Sequence, residues 1–443
     1  MSEKDRTDPY SATEVIRKHL IGDGYEIIFD LEKSHGSWVV DARDGNEYLD
    51  FYTFFASLPL GFNHPAFQEA GAYERIGRAA LHKPANSDAH TCELADFAET
   101  FSNLALPQEF EHLFFIEGGA LAVENALKTA FDWKTRKNQA AGKKVSEAGK
   151  ILHFREAFHG RSGYTMSLTN TSPEKTAFYP QFDWPRVSNP KLQFPLTSAE
   201  LSRVSSTEEE CVSEIHRAFS VHGDTIAAII IEPVQGEGGD NHFRPEFFRY
   251  LRGLADEYEA LLIFDEVQTG FGLTGKMWAY EHFDICPDIV CFGKKTQVCG
   301  IMAGPRIAEV NDNVFNLSSR INSTWGGGLV DMVRCEIILE TIASEGLVEN
   351  ARIAGGSFLN GIEGIAARFP DEISNPRGLG LMCAFDCVDT ASRNQILKLC
   401  LANGLLAIAC GQSSIRFRPP LNLSMEEVAE GLRRLEKSVQ QAG

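Results

Sequence analysis

Nothing in this sequence stays apolar for long. The all-apolar run at 226–231 falls far short of the roughly 20 residues that a membrane-spanning helix needs, so no membrane segment is expected. Residues 1–10 lack the basic start and apolar core of a signal peptide. Positive charge is also scarce. Lys and Arg number 42 against 61 Asp and Glu, a formal charge of −19 over 443 residues. Binding nucleic acid needs a basic surface, so nucleic acid is excluded as the main partner. A few arginines in one pocket would still suffice for an anionic small substrate. The metal-binding patterns CxxC and HExxH are both missing. Cys383 and Cys387 have no second pair and lie in an apolar run, which suits buried free thiols better than a zinc site. There is no internal repeat and no low-complexity tract. These features together point to the cytoplasm.

What the sequence does have is ordinary globular composition, 43% apolar and 23% charged, at a length that suggests about two or three domains. The middle alternates short apolar strands with helical patterns. Strands are expected at 112–115, 150–155, 225–231, 261–264 and 288–292, and helices at 121–133 and 247–259. Continuous apolar strands separated by helices indicate a mostly parallel sheet covered on both faces. The ends differ. Asp44-Gly45 between two alternating segments signals a hairpin. From Asp331 onward the pattern reads as one long helix, a turn at Asn375-Pro376, and strand-like segments at 380–387 and 414–417. The stretches 143–149 and 196–210 read as loops or helix ends. The fold class is therefore α/β. Residues 1–60 are expected to pack with a small α+β domain at 331–443, around a large domain at 61–330.

Three features carry chemistry. First, residues 270–276 (GFGLTGK) satisfy GxGxxG and nearly satisfy GxxxxGK[ST], the phosphate-cradling patterns of nucleotide binders. Met277 stands where the magnesium-holding hydroxyl belongs, so a glycine-rich loop shaping a pocket is the competing reading. Second, Asp265 and Lys294 each follow an apolar strand, 29 residues apart. Strand ends of a doubly wound sheet converge on one crevice. A lysine and a carboxylate there suit pyridoxal phosphate, the lysine bonding the aldehyde and the aspartate pairing with the ring nitrogen. A structural ion pair at the rim explains the same two residues. Third, Phe158 can stack on a planar ring, and Arg161, with Arg416 and Arg418, can fork onto carboxylates.

The segments FIEGGALAVENALK, FHGR, IIIEPVQGEGG, LLIFDEVQTGFGLTG, PDIVCFGKK, NSTWGGG and IRFRPPL occur in this order. In them the chain resembles the class-III, fold-type-I pyridoxal-phosphate aminotransferases that act on ω-amino groups. The resemblance implies a site, residue by residue. Lys294 takes the cofactor-linking position and Asp265 the ring-nitrogen position. Gln268 falls at the ring hydroxyl, Phe158 at the stacking position, and Gly119 and Ala120 at the phosphate cup. Thr324 falls where a threonine reaches the phosphate across a dimer interface, which implies a homodimer. Arg416 matches the arginine for the α-carboxylate of 2-oxoglutarate, Glu237 the glutamate that masks it, and Arg161 the arginine for the far carboxylate. Asn322 is placed for the α-amino group of the donor.

Three segments depart from the general family: GGA in place of Ser-Gly-Ala, KKTQVCG in place of Lys-Ala-Leu-Gly-Gly-Gly, and STWGGGL in place of Thr-Phe/Tyr-x-Gly-Asn-Pro. The loss of the serine leaves phosphate binding more dependent on backbone and on Thr324. The altered segments are similar to those of the branch that acts on the ε-amine of L-lysine. That branch implies L-lysine and 2-oxoglutarate as substrates. Ornithine or 4-aminobutyrate as donor is the alternative within the family.

Overall fold

The computed structural model describes residues 7–22, 24–69, 71–144 and 147–443. Most of the N-terminal segment read for a signal peptide (1–6), and two residues of the 143–149 loop (145 and 146), lie outside them.

Seven strands form the main sheet, in the spatial order His112–Ile116, Cys299–Ala303, Ile289–Phe292, Leu261–Asp265, Ile226–Ile231, Lys150–Phe154 and Arg186–Val187. Pairings from Ile289–Phe292 outward to Arg186–Val187 are parallel. Cys299–Ala303 is the reversed strand, antiparallel to both of its neighbours. The central strands are buried throughout. Their side chains alternate between two cores because successive Cβ atoms point to opposite faces. Ala228, Ile230 and Ile263 pack with Ala126, Leu127 and Trp133 of helix Gly119–Ala140. Ile229, Leu262 and Phe264 pack with Phe247, Phe248 and Leu251 of helix Pro245–Glu257 on the other face. The result is a three-layer α/β unit whose parallel strands all present their carboxyl ends to one crevice.

Two smaller sheets lie outside it. Trp38–Val40 and Glu47–Asp50 form the hairpin expected at Asp44-Gly45, and Leu405–Leu406 adds to it in parallel. The segments Ile373–Leu379, Met382–Cys387, Ser414–Phe417 and Ile408–Cys410 form an antiparallel sheet. Among the described residues, no helix is long and apolar enough to cross a membrane.

Several local readings are corrected. The stretch 196–210, read as loop or helix end, is the first half of helix Ser198–His222, capped by Thr197, whose side chain accepts from the Glu200 N–H. Its buried positions begin only at Val204, so its polar first turn resembles a loop. The long helix after Asp331 is two, Leu329–Ser344 and Leu347–Arg368, parted at Gly346, which adopts φ +64°. Asn375-Pro376 is not a turn between elements. It lies in an edge strand at a register shift, a place where proline is tolerated. The helix expected at 247–259 begins and ends two residues earlier. The segment after Trp278 forms a single 3-10 turn, Ala279–His282.

Candidate active site

Strand ends build the floor of the site. Asp265 closes Leu261–Asp265, Glu232 follows Ile226–Ile231, and Lys294 follows Ile289–Phe292 by one glycine. They open on a cavity of about 460 Å³ that is also lined by Phe55, Gly119, Ala120, Phe158, Arg161, Lys175, Glu237, Gln268 and Arg416. Nine of the eleven residues that the family resemblance assigns therefore share one cavity. Asn322 and Thr324 do not. Both are exposed and lie outside the lining. Arg418 also lies outside it.

Lys294 holds a left-handed backbone, φ +54°, a strained state for a residue with a Cβ. Its amine makes no hydrogen bond or ion pair among the described residues. It lies 6.0 Å from the Phe55 ring centre. Burial, followed by the nearby charges of Arg416 and Arg418, pulls its pKa down to about 8. A neutral amine is therefore abundant near neutral pH. In cofactor-free protein, reductive methylation of Lys294 is expected to rise with pH to a midpoint near 8, against roughly 10.4 for an ordinary lysine. Peptide-resolved mass spectrometry giving a midpoint above about 10 would show that the pocket does not depress this amine.

Asp265 is held by two donors. His159 Nδ1 lies 2.8 Å from Oδ2, and the Val267 N–H donates to Oδ1 at 3.1 Å. His159 is fully buried on its side-chain atoms, so the carboxylate is oriented from behind. Gly119 and Ala120 open the 22-residue helix Gly119–Ala140, whose first N–H groups and dipole favour an anion. The Phe158–Arg161 loop lies close over this turn. A Cβ on Gly160, at φ +117°, would stand 2.5 Å from the Ala120 Cβ, so only glycine allows the approach. Glu232 ties this loop to the next one, accepting from the N–H groups of Phe158 at 2.8 Å and Gly236 at 3.1 Å. Burial raises the Glu232 pKa to about 7.

The arginine-lined end of the cavity is asymmetric. Arg161 is exposed and has no ion-pair partner among the described residues. Arg416 is buried. Its Nη2 donates to Glu237 Oε2 at 2.5 Å, and its Nη1 to Gln268 Oε1 at 3.2 Å. Burial alone would push the Glu237 carboxyl up, but the Arg416 and Lys175 charges outweigh it and hold the pKa below the ordinary range.

A partnerless amine of depressed pKa, a held carboxylate, a helix N-terminus and an aromatic wall fit pyridoxal phosphate. The phosphate-cradle reading of residues 270–276 does not survive. That loop lies outside the cavity lining and is packed against protein, with no room for a Cβ on Gly270 beside Trp278 or on Gly275 beside Arg352. Sequence reasoning missed His159, Lys175, Glu232 and Phe55. His159 stands inside the FHGR motif, between two residues that were assigned. Lys175 comes from a single 3-10 turn with no periodic signal.

Comparison with known proteins agrees with this geometry. The class-III aminotransferase family model matches residues 22–439, and the chain belongs to that family. It is a pyridoxal-phosphate-dependent aminotransferase. Among its relatives, the L-lysine-epsilon aminotransferase of Mycobacterium tuberculosis is 50% identical over 95% of this chain and 94% of its own length. That of Amycolatopsis lactamdurans is 46% identical over 98% and 97%. The solved structure of lysine aminotransferase from Mycobacterium tuberculosis superposes with a TM-score of 0.96 at 48% identity, covering 99% of this chain and all of the other.

Proposed function

We propose that this chain is an L-lysine 6-aminotransferase. It moves the ε-amino group of L-lysine to 2-oxoglutarate. The products are L-glutamate and 2-aminoadipate 6-semialdehyde, which cyclises to piperideine-6-carboxylate. One observation carries the reading: Lys294 and Asp265 share a cavity with two arginines, one open and one already paired with a glutamate. The 46–50% identity to lysine-epsilon aminotransferases supports lysine as the donor.

Bound pyridoxal phosphate supplies an aldehyde carbon for the amine and a ring that takes up the electron pair left when a proton departs. The chain's own residues do the rest. Gly119 and Ala120 hold the phosphate end, Phe158 faces the ring, and Gln268 serves the ring hydroxyl. Asp265, oriented by His159, keeps the proton on the ring nitrogen. Lys294 takes the proton from Cε of the donor as general base and returns it as general acid. Arg161 grips the lysine carboxylate while Glu237 pairs with Arg416, so no buried cation is left alone. With 2-oxoglutarate, Glu237 turns away and each arginine takes one carboxylate. The exposed Asn322 and Thr324 complete the site of a second copy, Thr324 for the phosphate and Asn322 for the donor α-amino group. The working unit is then a homodimer, with the ten free cysteines suiting a reducing cytoplasm.

Mixing holoenzyme in a single turnover with L-lysine, ornithine or 4-aminobutyrate tests this. The expected result is loss of the cofactor's resting absorbance with lysine and release of a six-membered cyclic imine. Bleaching by ornithine or 4-aminobutyrate but not by lysine would keep the family and overturn the donor.

A further inference from the structure

Glu237 has two cations, and the exchange described above uses only one. Its Oε2 accepts from Arg416 and its Oε1 accepts from Lys175 Nζ, both at 2.5 Å. Lys175 belongs to the 3-10 turn Pro173–Lys175, whereas Arg416 belongs to strand Ser414–Phe417. Lys175 is also anchored independently of Glu237. Its Nζ donates to Thr171 Oγ1 at 3.1 Å and lies 5.4 Å from the Phe158 ring centre.

The backbone under Glu237 is pinned on both sides. The Glu237 carbonyl accepts from the Gly411 N–H at 2.9 Å, and the Gly236 N–H donates to Glu232 at 3.1 Å. Beyond it, the buried Arg377 Nε donates to the carbonyl of Gly239 at 3.2 Å and to that of Asp240 at 3.0 Å. A Cβ on Gly236 would meet Gln268 Oε1 at 2.1 Å, so the loop is also pressed against the site. Release of Arg416 is therefore a rotation of the Glu237 side chain, not a movement of its loop. A carboxylate turning within a partly buried mouth needs a counter-charge. Lys175 already holds its other oxygen.

We infer that Lys175 is the pivot of this exchange. It is a specificity-determining residue that keeps Glu237 paired while Arg416 is handed to the carboxylate of a dicarboxylate oxo-acid. The inference rests on the two-substrate reading above. In the masked state Arg416 and Lys175 together neutralise Glu237. In the open state only Lys175 does. Removing Lys175 therefore disfavours the open state and penalises dicarboxylates selectively.

Calorimetric titration of holoenzyme with two unreactive ligands tests this. Pentanedioate needs both arginines, and pentanoate needs only Arg161. Lys175→Met is expected to weaken pentanedioate by about fivefold relative to pentanoate, the scale of a partly exposed ion pair. The KM for 2-oxoglutarate should rise by a similar factor relative to that for lysine. Lys175→Arg is expected to restore most of both differences. Equal weakening of the two ligands, or a loss confined to pentanoate, would overturn the pivot and leave the proposed activity intact. Wild-type enzyme that binds pentanedioate no better than pentanoate would overturn both.

Discussion

Lys294→Ala is expected to lower turnover by about 10³-fold, within the range that a positioned general base contributes, and to abolish covalent retention of the cofactor. Lys295→Ala is expected to keep that retention. The two lysines are adjacent in sequence, yet the fold gives them different work. Lys294 faces the cavity with an unoccupied amine. Lys295 is buried, and its Nζ donates to the Gln268 carbonyl at 2.6 Å. Burial, then the neighbouring charge of Lys294, lowers its pKa as well, so basicity alone does not separate them. Geometry does. Borohydride reduction of each holoenzyme variant, followed by peptide mapping, identifies the modified lysine. Cofactor mass on Lys295 in wild-type protein would refute the assignment.

Asp265 and Lys294 were legible because each stands at or just past the end of a short apolar strand, and in a parallel sheet all such ends face one crevice. The strand Cys299–Ala303 was not legible. It carries a glycine at its second position, where a Cβ would meet the Phe114 carbonyl at 2.2 Å, and its reversed direction depends on partners far away in sequence. His159 was hidden for another reason. A buried histidine and a surface one look alike in sequence, and only Asp265, 106 residues away, gives this one a task. Lys175 is similar, since a lysine after Pro-Glu in a polar stretch reads as solvated surface. Asn322 and Thr324 were singled out by resemblance alone. The chain by itself does not bring them to the cavity, and nothing in its own packing marks them out.

Asp240→Ala is expected to destabilise the protein by about 3–5 kcal/mol, the usual result of stranding one member of a buried ion pair. Arg416 and Arg418 stand two residues apart, the spacing that puts side chains on one face of an extended chain. Their counter-ions differ in kind. Arg418 and Asp240 are both fully buried, with Nη1 donating to Oδ2 at 2.9 Å, and Arg418 Nη2 donates to Gln268 Oε1 at 2.9 Å. Arg416 lines the cavity, and its partner Glu237 is 28% exposed. One pair is a fixed part of the core and the other faces a space that substrate or water can enter. Glu237→Ala is therefore expected to cost far less stability than Asp240→Ala, because water or a substrate carboxylate reaches Arg416. Adding Arg418→Met to Asp240→Ala removes the stranded charge and is expected to recover most of the loss. Thermal midpoints of the three variants at one fixed cofactor concentration decide the matter. If the double variant melts no higher than Asp240→Ala alone, the cost comes from lost packing around Asp240 and not from an unpaired guanidinium.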